Sequence, residues 1–249
     1  MRPKPFDISP DEIRSGAGVT NVDSSGRTQD DSDPEEEQRF APLRSRMVKR
    51  QIAAREVDDQ RVLDAIRRVP RHKFVPIHLR HLAYRDSPLE IGHQQTISQP
   101  LIVAMMTELA QTTAKSRALD VGTGSGYQAA VLSELVDKVY SIEILEPLAS
   151  EARERLRSLG YDNVEVRCGN GYQGWPDQTP FDVIIVAAAP DHVPQLLIDQ
   201  LAPGGHLVIP VGRRFAQSLL VIEKQADGTI RRRNVTPVLF VPMTGEAQE

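Results

Sequence analysis

Strand–helix alternation in the second half of the sequence constrains the fold most strongly. Beyond Lys115, short runs of β-forming residues alternate with stretches whose apolar residues recur at three- and four-residue intervals. Such β–α–β units connect in the right-handed sense, so the alternation predicts an α/β fold with a doubly wound, mainly parallel sheet. Ligands of these sheets bind at the carboxyl ends of the strands. The β-type runs are RALDVG, KVYSIEI, VEVRCG, FDVIIVAAA and HLVIPVG, and the helical stretches are QAAVLSELV, LASEARERLRSLG and VPQLLIDQL.

The regions on either side of this alternation have different patterns. On the amino-terminal side, LRSRMVKRQIAAREV, DDQRVLDAIRRV and LIVAMMTELAQ have helical spacing, with Asp58 or Asp59 as the N-cap of the second helix and Pro70 as its end. On the carboxyl-terminal side, SLLVIEKQ and IRRRNVTPVLFVPM flank an Asp227–Gly228 turn. This pattern is typical of a hairpin, and it predicts an antiparallel pair at the edge of the sheet.

Composition divides the chain near residue 40. The segment SGAGVTNVDSSGRTQDDSDPEEEQ is rich in serine, glycine and acidic residues and poor in large apolar side chains. Burial therefore cannot offset its ordering entropy, and we interpret residues 1–40 as a disordered, solvated acidic tail. Residues 41–249 are then expected to form a single domain, with a helical region at 41–113 and a sheet region at 114–245.

Charge and cysteine content exclude several classes of protein. The chain of 249 residues has a formal net charge of −4, which gives no general attraction to nucleic acid or anionic membranes. Its amino terminus lacks the apolar core of a secretory signal, and no stretch reaches the roughly 18 apolar residues that span a bilayer. The single cysteine, Cys168, excludes an internal disulfide and a cysteine zinc cluster. We therefore expect a cytoplasmic protein without a metal site, with Cys168 packed in a strand.

A glycine-rich turn follows the first strand of the alternating region, in the stretch ALDVGTGSGYQAA. Glycine at such a turn lets the backbone approach a ligand closely, and the helix behind it offers unpaired N–H groups. The spacing is G-x-G-x-G, whereas a dinucleotide fingerprint is G-x-G-x-x-G, so a nucleoside without a pyrophosphate fits better. The residues predicted to contact it here are Asp120, Gly122, Thr123, Gly124, Ser125 and Gly126.

Polar residues also end the next two strands. Glu143 ends the second strand, 23 residues after Asp120, where a carboxylate can accept two hydrogen bonds from a ribose diol. Asn170, followed by Gly171, ends the third strand and is a candidate for hydrogen bonding to the edge of a base. Any one of these residues could equally be a turn glycine or a surface acid. Their succession at the carboxyl ends of neighbouring strands predicts a nucleoside site.

The stretch IGHQQTISQP places amides, hydroxyls and one imidazole between two apolar segments. Ser98 precedes Pro100 at the start of a predicted helix, so one interpretation is that it is simply the N-cap of that helix. Capping does not exclude a second role for its hydroxyl in a binding site. We interpret His93 as loop structure or as a contact on the cofactor side. Elsewhere, His192 is expected at the surface, and Trp175 is expected to anchor the GYQGWP turn in the core.

Five segments together resemble the protein-L-isoaspartate O-methyltransferases, members of the class I methyltransferases that use S-adenosylmethionine. The resemblance covers about residues 47–245. It lies in VPRHKFVP, AYRDSPLEIGHQQTISQP, LDVGTGSGYQAAVLSELV, GNGYQGWP and LAPGGHLVIPVG. The glycine-rich turn indicates only the superfamily, whereas TISQP is specific to this family. The resemblance implies a seven-stranded, Rossmann-like methyltransferase sheet with N-terminal helices on the substrate side.

The resemblance also implies the chemistry. The substrate would be the free α-carboxylate of an isoaspartyl residue in a damaged protein, methylated by S-adenosylmethionine so that the ester can close to a succinimide. Ser98 matches the family's active-site serine, whose hydroxyl bonds to the substrate carboxylate. The loop before it, with His93, Gln95, Thr96 and Ile97, would close over cofactor and peptide. A carboxylate is already a nucleophile at neutral pH, so alignment by neutral polar groups suffices and no strong base is required.

Two residues depart from the family pattern, and two alternatives stay open. Asn170 replaces the usual acidic residue, and Gln95 replaces a small one. The chain could instead be a methyltransferase for a small molecule or nucleic acid, or a non-catalytic S-adenosylmethionine-binding protein. Basic clusters such as RRVPRHKF and RRRN are interpreted as solvated faces. We therefore expect isoaspartyl-containing proteins and peptides as partners, neither nucleic acid nor membrane, and a monomer.

Overall fold

The computed structural model describes residues 34–55, 57–213 and 216–245. From Pro34 onward the chain forms one compact unit. The helices of the described residues are α1 (Pro34–Met47), α2 (Gln60–Arg68), α3 (Pro100–Leu109), α4 (Tyr127–Ser133), α5 (Glu146–Ser158) and α6 (Gln195–Asp199). Their strands are β1 (Leu89–Gly92), β2 (Gln95–Ile97), β3 (Arg117–Val121), β4 (Lys138–Glu143), β5 (Val164–Cys168), β6 (Phe181–Val186), β7 (Leu201–Arg213), β8 (Ala216–Lys224) and β9 (Ile230–Val238).

Seven of these strands form one sheet in the order β5-β4-β3-β6-β7-β8-β9. Strands β3 to β7 pair in parallel, and β8 and β9 add antiparallel strands at one edge. The predicted parallel sheet with an antiparallel edge hairpin is confirmed. The strand order changes direction between β3 and β6, which opens a crevice at their carboxyl ends where ligands of such sheets bind.

Alternating residues of the parallel strands face opposite sides of the sheet, as the two-residue period of a strand requires. Residues on one side pack with the buried side chains of α1 to α5; they include Ala118, Val139, Val166, Val183 and Val208. Residues on the other side pack with α6 and Trp175; they include Leu119, Ile142, Ile184 and Leu207. Both faces are covered, which explains why the strands are almost continuously apolar in sequence.

The predicted boundary of the acidic tail at residue 40 is wrong. Residues 1–33 lie outside the described residues, but helix α1 begins at Pro34. Phe40 is buried, and its ring stacks on His72 with the ring centroids 4.2 Å apart. One large aromatic side chain is therefore enough to dock this part of the acidic stretch onto the domain.

Two acidic side chains of α1, Glu36 and Glu37, form ion pairs. Glu36 lies 3.2 Å from the ammonium group of Lys73 and 2.5 Å from the guanidinium of Arg80. Glu37 pairs with Arg44 within the same helix. The pKa of Glu36 is lowered, because these cations outweigh the opposing effect of its partial burial. The acidic run therefore attaches α1 to the basic residues that follow α2.

Several local predictions can be compared directly with the structure. Asp59 is the N-cap of α2 and accepts a hydrogen bond from the backbone N–H of Arg61, and the helix ends before Pro70, as predicted. Trp175 is buried, also as predicted. The prediction that Cys168 is packed is wrong, since its side chain is exposed. Cys168 is the last residue of β5, an edge strand with a neighbour on one side only.

Within the part of the chain that the structure describes, no helix is long and apolar enough to cross a membrane.

Candidate active site

A cavity lies at the carboxyl ends of β3, β4 and β6, where the strand order changes direction. The TISQP segment and the glycine-rich turn, which are far apart in sequence, meet across it. Its lining residues from the predicted site are Gln95, Thr96, Ile97, Ser98, Gly122, Thr123, Gly124, Ser125, Glu143 and Gly171. The structure therefore brings most of the predicted site residues together in one cavity.

The glycine-rich turn is fixed to the neighbouring strands through its backbone. The N–H groups of Gly122 and Thr123 donate to the carbonyl of Ile142 at 2.8 and 3.1 Å. Gly126 caps α4 in the left-handed conformation, with φ of 89°, which an L side chain rarely adopts. It does not line the cavity, because it packs against Leu156 from α5. Its contribution is to set the direction of the turn rather than to contact a ligand.

Asp120 supports the turn from below. It is fully buried and does not line the cavity, unlike the ligand contact that the sequence predicted. Its Oδ2 accepts a 2.7 Å hydrogen bond from the Ser141 hydroxyl, and the Ser141 and Thr123 hydroxyls are 2.6 Å apart. Since Ser141 donates to Asp120, the Thr123 hydroxyl donates to Ser141, and the three side chains form a directed chain. Burial raises the pKa of Asp120 to about 7.

Glu143 projects into the cavity from the end of β4. One carboxylate oxygen accepts from the backbone N–H of Gly124 at 2.8 Å, and the other accepts from Leu145 at 3.1 Å. Each oxygen retains a further lone pair for a ligand, because a carboxylate has about four acceptor sites. Glu143 can therefore hold a diol and the glycine-rich turn at the same time.

Asn170 and Gly171 follow β5 and have different roles. The Asn170 side chain accepts a 3.0 Å hydrogen bond from the backbone N–H of Tyr172, and it does not line the cavity. Gly171 does line it. A Cβ at Gly171 would lie 2.5 Å from Cγ1 of Val121 and 2.8 Å from Cε of Met243. Only glycine fits there, because any side chain would push aside the wall of the cavity.

The polar stretch before α3 forms a small antiparallel hairpin of β1 and β2. His93 and Gln94 make its turn with positive φ values of 50° and 59°, and His93 is exposed and outside the cavity lining. His93 is therefore loop structure in this conformation. Gln95, Thr96 and Ile97 form β2, which carries the chain along the cavity toward Ser98.

Ser98 is not the N-cap of α3, so the interpretation of this residue as a helix cap is wrong. The N-cap is Gln99, whose own side chain makes no capping hydrogen bond. Ser98 is half-buried and lines both the cavity and an adjoining cleft. Ser98 thus lies where the two spaces meet.

The carboxyl-terminal segment closes the opposite wall, and sequence reasoning missed it. Val241, Pro242, Met243 and Thr244 line the cavity, with Ala187 and Ala188 from the end of β6. The backbone of Ala189 bonds to Val241 and Met243 on either side of Pro242, at 2.8 Å in both cases. Only a long-range pairing places this segment, and its apolar sequence carries no motif that could have revealed it.

The adjoining cleft has a volume of about 980 Å³ and opens from Ser98. It continues between β2 and the segment from Pro237 to Pro242. The residues that line both spaces are Thr96, Ser98, Ala187, Val241 and Pro242. None of the described residues that line it carries a charge. A peptide chain fits such a cleft better than a polyanion, which would need cations along its walls.

The cavity itself is nearly free of charge. Among the described residues that line it, Glu143 is the sole carboxylate, and none is lysine, arginine or histidine. No cation among these residues could pair with a phosphate group. A nucleoside fits better, because Glu143 can accept from its diol, the walls are apolar and Gly171 allows a close approach. His192, outside this lining, is exposed and pairs with Asp191, as expected for a surface residue.

Fold and site together define a class I methyltransferase, the class that binds S-adenosylmethionine at the switch point of a seven-stranded sheet. The sequence model of the protein-L-isoaspartate(D-aspartate) O-methyltransferases matches residues 43–248. The chain belongs to this family.

Individual relatives agree with this assignment. The chain is 54% identical over 237 residues to a protein-L-isoaspartate O-methyltransferase of a Synechococcus species, covering 92% of this chain and 94% of that one. The relative of that name from Gloeobacter violaceus is 51% identical over 80% of this chain and 98% of its own. A solved structure described as a protein-L-isoaspartate O-methyltransferase of Plasmodium falciparum, in complex with S-adenosyl-L-homocysteine, has a TM-score of 0.70. It is 26% identical and covers 81% of this chain and 98% of that chain.

Proposed function

We propose that the chain is a protein-L-isoaspartate O-methyltransferase, which transfers a methyl group from S-adenosylmethionine to the free α-carboxylate of an isoaspartyl residue. The observation that carries this proposal is the meeting of Ser98 with the glycine-rich turn and Glu143 in one cavity. A nucleoside site alone would indicate only a methyltransferase. The neutral cleft that opens from Ser98 supplies the room that a peptide substrate needs.

The residues of the cavity fit S-adenosylmethionine. Glu143 would accept from the two ribose hydroxyls through the lone pairs that the backbone leaves unused. Gly171 would let the adenosyl group approach the end of β3, where any side chain would block it. The wall formed by Ile142, Ile144 and Leu145 buries apolar surface beside it. When bound, the cofactor supplies an activated methyl group on its sulfonium.

The role of Ser98 is to orient the substrate carboxylate. Its hydroxyl would donate a hydrogen bond to one carboxylate oxygen, which leaves the other oxygen free to accept the methyl group. A carboxylate with an ordinary pKa of about 4 is fully ionised at neutral pH, so no protein group has to remove a proton. This agrees with a cavity in which no lining residue is histidine or lysine among those the structure describes.

Alignment and water exclusion are then the main contributions of the protein. Strand β2 and the carboxyl-terminal segment both line the reacting space and would limit the access of water. The product is a methyl ester, whose methoxide group leaves far more readily than the oxygen of a carboxylate. The neighbouring backbone nitrogen attacks the ester carbonyl and loses its proton, and methanol leaves as the succinimide forms. Hydrolysis of the succinimide returns part of the molecules to normal aspartyl linkage. The reaction is therefore the first step of protein repair.

A matched pair of peptides tests the function. The two peptides have the same sequence, one with aspartyl and the other with isoaspartyl linkage, and each is incubated with the chain and methyl-labelled S-adenosylmethionine. We expect base-labile label in the isoaspartyl peptide only. Equal labelling of both peptides, or of neither, would contradict the proposal. Labelling of added nucleic acid would support the alternative substrate class, which the uncharged cavity and cleft disfavour.

The partners and location follow from the same proposal. Isoaspartyl-containing proteins and peptides are the partners, and the neutral cleft favours flexible segments over folded surfaces. A monomer suits this function, because Ser98, Glu143 and the cleft all come from one chain. The cytoplasmic location expected from the single cysteine agrees with a protein-repair enzyme.

A further inference from the structure

We propose that Asp86 is a positioning residue for Ser98. This inference rests on the proposed function, because it assigns to Asp86 the task of holding the serine that binds the substrate carboxylate. Asp86 lies in the segment AYRDSP, before hairpin β1–β2, and its side chain is 10% exposed. It does not line the cavity or the cleft.

Asp86 accepts hydrogen bonds from Gln99 and Leu101, the residues that connect Ser98 to α3. One oxygen accepts from the backbone N–H of Leu101 at 3.1 Å, and the other accepts from the Gln99 side chain at 2.8 Å. Gln99 is the residue directly after Ser98 and is the N-cap of α3. These two bonds hold the residues that directly follow Ser98, and they therefore fix the position of the Ser98 backbone beside the cavity.

These bonds replace the local cap that α3 lacks. The first N–H groups of a helix have no partner within the helix, and a capping side chain usually satisfies one of them. Pro100 has no N–H, and Gln99 makes no capping bond to α3, so Leu101 is the first residue that needs a partner. Asp86 supplies it from a distant segment. The Ser98 side chain is thereby released from capping and can face the cavity.

The segment around Asp86 is itself held rigidly by the N-terminal helical region. The Arg71 guanidinium, which is fully buried, donates to the carbonyl of Ala83 at 2.9 Å. The hydroxyl of Tyr84 contacts Nδ1 of His72 at 2.7 Å, and its carbonyl accepts from Gln51 at 3.3 Å. The helical region before the sheet therefore fixes the position of Asp86, and Asp86 in turn fixes the position of Ser98.

Three variants separate positioning from charge. Asp86→Ala removes both bonds, and we expect kcat/KM for an isoaspartyl peptide to fall by about tenfold or more, because the serine that holds the substrate carboxylate is no longer fixed in place. Asp86→Asn keeps the shape and can bond to Leu101 and to a rotated Gln99 amide, so it should stay within about threefold of wild type. Asp86→Glu keeps the charge but displaces it by one methylene, and it should lose activity as Ala does. It replaces the Ala variant if that variant does not fold.

Arg55 provides the matched control. It bonds to Asp86 at 3.1 Å from an exposed position, and exposed ion pairs contribute little. Arg55→Ala should therefore leave kcat/KM within about twofold of wild type. In every variant the dissociation constant for S-adenosylhomocysteine, measured by calorimetry, should change by less than about threefold, since Asp86 does not touch the nucleoside cavity.

The Ser98→Ala background gives the decisive comparison. If Asp86 acts through Ser98, adding Asp86→Ala to Ser98→Ala should lower kcat/KM by less than about threefold, because coupled residues are not additive. A full and independent loss in that background would overturn the inference. Equal losses in the Asn and Ala variants would also overturn it, and so would an Ala variant as active as wild type. Failure of the wild-type chain to methylate the isoaspartyl peptide would instead refute the proposed function.

Discussion

Replacement of Glu143 should weaken cofactor binding far more than it weakens the fold. Glu143 is 6% exposed and accepts from two backbone N–H groups, which leaves one further lone pair on each oxygen for the ribose diol. A hydrogen bond to a charged group is worth about 1.5–3 kcal/mol. Loss of two such bonds costs about 3 kcal/mol at the lower limit, which corresponds to about 100-fold in the dissociation constant.

Two substitutions separate the loss of both acceptor oxygens from the loss of the charge and one acceptor. Glu143→Ala removes both acceptors, and about 100-fold weaker binding of S-adenosylmethionine is expected. Glu143→Gln keeps one neutral acceptor oxygen and turns an amide donor toward a backbone N–H, so about tenfold weaker binding is expected. Isothermal titration calorimetry with S-adenosylmethionine and S-adenosylhomocysteine measures both constants. Thermal unfolding without ligand reports how much stability the bond from Gly124 contributes.

Glu146 offers a matched control, since it is an exposed acid in the first turn of α5 that lies outside the cavity lining. Glu146→Gln removes the same charge only three residues away and should bind both ligands as the wild type does. The assignment of Glu143 to the ribose would be refuted by a Glu143→Ala protein that binds within about threefold of wild type. Equal losses in the two positions would refute it as well, because they would reflect net charge alone.

Three further predictions concern residues beneath or beside the cavity. Asn170→Asp should leave the dissociation constant for S-adenosylmethionine within about threefold of wild type, because this side chain accepts from the backbone N–H of Tyr172 and lies outside the cavity lining; a larger change by calorimetry would contradict that placement. Asp120→Asn removes a group whose pKa burial raises from 3.8 to about 7. The wild type should lose stability as pH rises between those two values, so the Tm of the variant relative to wild type should rise over that range; a constant difference would refute the raised pKa. Gly171→Ala places a Cβ 2.5 Å from Val121. Its affinity for S-adenosylhomocysteine should fall by about tenfold or more, and unchanged affinity would exclude a close approach there.

The sheet could be predicted from the sequence because its signal is local and repeated. Each strand is a short apolar run, each following helix has its own periodicity, and the residues at the strand ends follow from topology alone. Glu143 and most of the glycine-rich turn accordingly line the cavity at the strand ends, and their contact with a cofactor stays a prediction. Asp120 was predicted to contact the cofactor, but it is buried and does not line the cavity, because sequence spacing does not reveal which face of β3 a residue occupies.

Other features depend on contacts between distant segments. Hairpin β1–β2 has strands of only four and three residues, so its alternation of apolar and polar residues was too short to reveal it. The wall from Val241 to Thr244 is set by pairing with Ala189. The start of α1 was hidden by acidic composition, although Phe40 and the cations near Glu36 fix it in place. Ser98 looked like a helix cap because the sequence does not show that Asp86 accepts from the backbone N–H of Leu101, 15 residues further along the chain.

The central claim is that Ser98 holds the substrate carboxylate in a site otherwise built for the nucleoside. The most direct test compares Ser98→Ala with wild type in two measurements: kcat/KM for an isoaspartyl peptide, and the dissociation constant for S-adenosylmethionine. Loss of one hydrogen bond to a charged acceptor, about 1.5–3 kcal/mol, predicts a fall of about 10- to 150-fold in kcat/KM. The dissociation constant should stay within about twofold of wild type. A Ser98→Ala protein that methylates the peptide at the wild-type rate would contradict the account.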